Sequence, residues 1–88
     1  MLQLKRLVLD VLKPHHPDVL EFARGIAAQG KDYRVKLDVL EMDDQTQTLM
    51  VVIEGNDVQL DKTVAAINEM GGSVHSIDGV EVWSVAGK

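Results

Sequence analysis

An α+β sandwich of four strands and two helices, in the order β-α-β-β-α-β, is what this 88-residue sequence predicts. Three observations lead there. Apolar residues alternate over 4–13, 33–42, 48–54 and 73–85, they recur at three- and four-residue spacing over 19–27 and 60–70, and turn or capping residues stand at the junctions. The length accommodates a single domain spanning residues 1–88.

In the first run Leu7, Leu9 and Val11 form a purely apolar face, and Pro14 and Pro17 end the strand. Pro17 suits a first helical turn, where Asp18 and Glu21 add negative charge at the positive end of the helix dipole. Val19, Leu20, Phe22, Ala23, Ile26 and Ala27 then make an amphipathic stripe that Gly30 closes. Val35, Leu37 and Val39 face inward on the second strand, Asp43-Asp44-Gln45-Thr46 turns the chain, and Leu49, Val51 and Ile53 return inward as the other arm of a hairpin.

Gly55-Asn56-Asp57 breaks that hairpin, and the second helix carries Leu60, Val64, Ile67 and Met70 on one stripe with Gly71 as its C-terminal stop. Gly79 in the last strand predicts a bend or bulge. Before it Ile77 and His75 are expected on the core side, with Val74, Ser76 and Asp78 outward. The expected core is Leu7, Leu9, Val11, Leu20, Phe22, Ile26, Val35, Leu37, Val39, Leu49, Val51, Ile53, Val64 and Ile67.

Two right-handed crossovers interleave such units into a ferredoxin-like topology, sheet order 4-1-3-2, with both helices on one face. The other face is left open. It is expected to carry Val8, Leu12, Leu40, Met42, Met50, Val52 and Val74, more apolar than a solvated sheet face.

Composition narrows the chemistry. Without cysteine there is no disulfide, thiolate-held cluster or thiol redox step. A net charge of −5, scattered basic residues and one each of Phe, Tyr and Trp argue against nucleic acid as a partner. The apolar runs are far shorter than the roughly 20 residues of a membrane span. No secretory signal is legible, so no membrane partner and a cytoplasmic location are expected.

Candidate sites are few. Asp10 and Asp78 fall on neighbouring strands and one face, where they can share a hard cation such as Ca²⁺ or Mg²⁺, although two carboxylates do not complete an oxygen shell. Weak binding of that kind is the only cofactor expected. His15 and His16 are adjacent, which does not converge two rings on one metal, and are read as a cap and a loop residue. An imidazole is the side chain most often used as a general base near neutral pH, but His75 has no assignable nucleophile or orienting partner, so no catalytic residue is assigned.

Glu54-Gly55-Asn56-Asp57 reads as capping and turn formation rather than an anion site, and Gly71-Gly72-Ser73 lacks the lysine of a phosphate loop. Acylphosphatases share the topology. Their arginine loop after the first strand is replaced here by Lys13-Pro14-His15-His16-Pro17, which disfavours that activity.

LDVLKPH at 9–15, EGND at 54–57 and GGSVHSID at 71–78 resemble a family of short, mainly archaeal proteins, domain of unknown function 211. The resemblance covers nearly the whole chain. It implies a ferredoxin-like fold and assembly into multi-subunit homo-oligomers, and it implies no activity. Where the family often has an acidic residue after EGND this chain has Gln59, which weakens any strong cation site in that loop.

These readings converge on a non-enzymatic homo-oligomer whose chief partner is itself, able to sense a small ligand or cation at the subunit interfaces. Val8, Met50, Val52, Val80, Val82, Trp83 and Val85 are the expected interface residues. The alternatives are a small enzyme using interfacial carboxylates with His75, and a structural or protein-partner adaptor. For Trp83 the alternative is that it folds back over its own core.

Overall fold

The computed structural model describes residues 1–86. Its elements are β1 (Leu2–Pro14), α1 (Val19–Ala27), β2 (Arg34–Met42), β3 (Thr46–Glu54), α2 (Leu60–Glu69) and β4 (Ser73–Ser84). They form one four-stranded sheet of order β2-β3-β1-β4, with every neighbouring pair antiparallel. This is the expected order read from the opposite edge, and the fold is α+β and ferredoxin-like.

β1 is central because its inward side chains Leu7, Leu9 and Val11 are buried and it hydrogen-bonds β3 on one flank and β4 on the other. α1 packs over β2, and α2 packs on α1 and over β4. At the start of α1 the Asp18 carboxylate accepts the Glu21 amide at 2.9 Å, while Asp18 itself keeps an extended backbone. Asp18 is therefore the N-cap. This displaces Pro17 from the expected first turn to just ahead of the cap, and takes the capping role away from the histidine pair.

Two glycines shape the α2–β4 turn. Gly71 has φ +85°, which L side chains rarely adopt, and its amide reaches the Asn68 carbonyl at 3.0 Å. At Gly72 an added Cβ would stand 2.9 Å from Phe22 Cζ and 3.2 Å from the Leu12 carbonyl oxygen. The turn passes directly over the core there, and only a bare backbone fits.

Most of the expected core is in place. Leu7, Leu9, Val11, Phe22, Ile26, Leu49, Val51, Ile53 and Ile67 are buried, and Val35 and Leu37 pack against them half-buried. Val64 is half-buried. Two expectations fail. Leu20 is 56% exposed, because two residues at ~100° each set it nearly opposite Phe22 on the helix. Val39 is 40% exposed, lying beside the β2 bulge on an edge strand with only one flank covered. Val58, Thr63 and Lys13 are buried instead.

β4 corrects the expected single bend. Its register against β1 shifts at three places: between Leu4 and Arg6, between Val8 and Leu9, and between Asp10 and Val11. Val8 faces Gly79 but Leu9 faces Ile77, and Asp10 faces Ser76 but Val11 faces Val74. Each bulge turns a side chain over. Val74, expected outward, packs half-buried against the core, and His75, expected inward, is exposed. Ile77 is paired with buried Leu9 as expected, yet the outermost strand leaves it 51% exposed.

Candidate functional site

The open face can be laid out in rows across β2, β3, β1 and β4. Arg34, Glu54, Arg6 and Glu81 make one row, and Lys36, Val52, Val8 and Gly79 the next. Asp38, Met50, Asp10 and Ser76 follow. Asp78 belongs to this side as well, since the Ser76 hydroxyl donates to its Oδ1 at 2.6 Å.

Asp10 and Asp78 border a shallow concavity of about 340 Å³ with Leu40, Glu41, Thr48 and Met50. Beside it Asp10, Leu12, Thr48 and His75 line a second hollow. The sheet thus brings Asp10, Asp78 and His75 to one region, His75 arriving through the second bulge. Among the described residues no three His, Cys, Asp or Glu side chains converge closely enough to hold a metal ion.

At the opposite end Arg6 and Arg34 approach Glu54 at 3.5 and 3.0 Å. Glu54 leads into the turn Gly55-Asn56-Asp57, whose position ahead of α2 would suit an anion if its amides were free. Those amides are occupied: Gly55 N–H donates to the Lys5 carbonyl at 3.1 Å and Val58 N–H to the Leu4 carbonyl at 2.7 Å. The Asn56 amide goes to Asp32 and the Leu4 amide to Asp57. The segment stitches the β3–α2 turn to β1. Gln59 forms no side-chain cap on α2, and its amide goes to the Tyr33 hydroxyl.

The expected interface residues do not form one patch. Val8 and Met50 are half-buried on the open face, and Val52, directly across from Val8 in the row next to the charged one, is buried. Val80 and Val82 pair with Leu7 and Leu4, on the helix side. Both are more than half exposed. Val85, past the end of β4, is half-buried. Trp83 is 53% exposed and does not close its own core. Its indole N–H donates to Glu81 at 2.7 Å, and the Lys5 ammonium sits 5.0 Å from the ring centroid.

The β1–α1 corner holds the feature that sequence reading missed. Lys13 is fully buried, and its three ammonium hydrogens meet the Pro14 carbonyl at 2.6 Å, the Gln47 side-chain oxygen at 2.9 Å and the His15 carbonyl at 3.3 Å. Desolvation holds its pKa below the usual lysine range, an effect the negative charge of Asp18 partly offsets. Strand alternation was the available signal, because Lys13 continues the series Leu7, Leu9, Val11.

Beside that corner, His15 Nε2 lies 2.8 Å from the Asp43 carbonyl. A carbonyl only accepts, so Nε2 carries the proton. The Asp43 carboxylate accepts the Gln45 and Thr46 amides, which hold its pKa below the ordinary range. His16 is exposed. No helix among the described residues is long and apolar enough to cross a membrane.

Fold and surface define a small α+β domain of ferredoxin-like topology, whose polar groups serve its turns or lie open on the sheet. The family model described as uncharacterized ArCR, domain of unknown function 211, matches residues 5–88. The uncharacterized protein MJ0319 of Methanocaldococcus jannaschii is 39% identical over 85 residues, covering 97% of this chain and 84% of that protein. The chain belongs to the domain of unknown function 211 family.

Proposed function

We propose that the protein is a non-enzymatic homo-oligomeric domain in which copies meet through β4 and the open sheet face, with a hard cation or small ligand lodged at the contact. The observation that supports this is the run Val80, Val82 and Trp83, each more than half exposed on an edge strand. Solvent-facing apolar side chains beside unpaired backbone groups favour association. Asp10 and Asp78 at the open-face concavity supply the ligand side of the reading.

Native mass spectrometry of the purified protein tests it, since it reports subunit number and retained ligand together. Burying the exposed half of an indole removes about 75–125 Å² from water, worth roughly 2–3 kcal/mol. Trp83→Ala is therefore expected to weaken assembly about 30- to 150-fold without lowering the melting temperature of the dilute chain. A wild-type monomer at high micromolar concentration would end the proposal. Added Ca²⁺ should bind at about millimolar strength or weaker, as an incomplete oxygen set requires, and more weakly still in Asp10→Asn. Tight binding indifferent to that substitution would place the site elsewhere.

A second reading, a small enzyme using carboxylates with an imidazole, draws on Asp10 and His75 lining one hollow. A pH-dependent turnover lost in His75→Ala would favour it over the first.

A further inference from the structure

The sheet has two free edges, β2 and β4, and they are not equally protected. Bulges interrupt β4 opposite β1 on either side of the Asp10–Ser76 pair, which re-aims its outward amides and carbonyls over residues 74–79 and spoils that stretch as a template, leaving residues 80–83 for the contact proposed above. β2 differs. From Arg34 to Val39 it runs in unbroken register with Glu54 to Leu49, and its first irregularity comes only between Val39 and Glu41. Those six residues contain no proline and no inward-pointing charge, two of the devices that normally blunt an edge.

The side chains on this edge also carry a directional pattern. On the open face β2 presents Arg34 and Lys36, then Asp38, and past the bulge Glu41 opposite Thr48. Two cations are thus followed by two carboxylates along one strand. Such a sequence repels itself in a parallel pairing and complements itself in an antiparallel one, where opposite charges stand directly across. On the helix side Val35, Leu37 and Val39 are apolar, and Val39 is 40% exposed at the rim of the core.

We propose that β2 is a docking edge for β2 of a second copy, paired antiparallel about a two-fold axis at Leu37, so that two sheets join into one of eight strands. In that register Lys36 of each copy stands across from Asp38 of the other, and Arg34 meets the bulge that returns Glu41 to the same face. Val35 meets Val39 on the helix side, covering the valine that a single copy leaves exposed. The contact is isologous, with one patch serving both partners, and the bulge after Val39 limits its length. The exposed Lys36–Asp38 approach of 3.9 Å within one chain is readily exchanged for the pair across the axis. This rests on the self-association proposed above and adds to it a contact along the free backbone edge of β2, at the rim of the open face and on the opposite side of the sheet from β4.

Charge exchange tests it. Lys36→Asp sets two carboxylates against two carboxylates across the axis, and Asp38→Lys sets two ammonium groups against two. Each variant alone is expected to weaken pairing roughly 10- to 100-fold at low salt, because the two-fold axis counts each change twice. A one-to-one mixture should recover the wild-type mass as a heteropair, since every cross-axis contact is then attractive. Amide hydrogen exchange gives an independent readout: protection of residues 34–39 should rise with protein concentration in the wild type and not in either variant. Unchanged assembly in both variants, or a mixture no better than its components, would overturn the β2 contact. If Trp83→Ala disperses the assembly while both charge variants leave it intact, self-association through β4 stands and this proposal falls. A wild-type monomer would remove both.

Discussion

Replacing Leu9 by alanine is expected to lower the unfolding free energy by about 2–5 kcal/mol, against a total of roughly 5–15 kcal/mol for a domain of ordinary stability. Leu9 has no exposed surface and lies at the middle of the central strand, between Val51 of β3 and Ile77 of β4. The lost side chain leaves space walled by neighbouring strands on both flanks, inside the buried cluster that also holds Phe22 and Ile26. Strands held in a ladder on two sides relax poorly into such a space, so the upper part of the range is expected. Leu20→Ala is the matched comparison, since the same change at a residue 56% exposed should stay within about 0.5 kcal/mol. Urea denaturation at one fixed protein concentration checks both, because association would otherwise add its own concentration dependence. Equal losses at the two positions would mean that α1 is turned about its axis relative to this structure.

That comparison also locates what was legible in the sequence. Alternation in Leu7, Leu9 and Val11 and in Leu49, Val51 and Ile53 reports burial directly, because a strand covered on one face offers only two directions. The helix is less forgiving. Val19, Leu20, Phe22 and Ala23 all fall within an apolar stretch, yet only Phe22 and Ile26 of α1 are buried. Which side of a broad stripe meets the sheet depends on the crossing of helix and sheet, which local spacing does not encode. β4 was hardest, since each bulge inverts the inward and outward sets and only one of the three shifts, beside Gly79, had a residue to announce it.

For the candidate site the same limits apply. Asp10 and Asp78 could be placed on one face because each lies on a strand next to the other. His75 went to the wrong side, as any residue beyond an unannounced bulge must. The β2 edge escaped notice for another reason: Arg34, Lys36, Asp38 and Glu41 look like ordinary solvated charge until the register shows them on one side of a free strand.

Lys13 supplies the other large effect. A buried ammonium is costly to desolvate, and here no carboxylate among the described residues touches it; three oxygens of neutral groups satisfy it instead. Lys13→Ala removes three buried methylenes at about 0.8 kcal/mol each and leaves the oxygens that the ammonium satisfied short of a donor, at roughly 1–3 kcal/mol for one that stays dry. Part of this is offset by the charge no longer being buried, so a net loss of about 3–5 kcal/mol is expected. Lys13→Met keeps most of the stem against Phe22 and gives up only the polar end, so it should cost about 1–3 kcal/mol. The pH dependence separates the charge from the packing. Because the folded-state pKa is depressed, both states hold the proton below it and stability does not change there. Between that value and the ordinary lysine range the unfolded chain binds a proton that the folded chain has released, so stability rises with pH across this alkaline window and levels off above it. Lys13→Met should abolish the rise. Chemical denaturation repeated through the alkaline range is the measurement. A Met variant more stable than the native protein would show that desolvation outweighs the three hydrogen bonds, and a wild type with no alkaline rise would show that the ammonium is better solvated than its enclosure indicates.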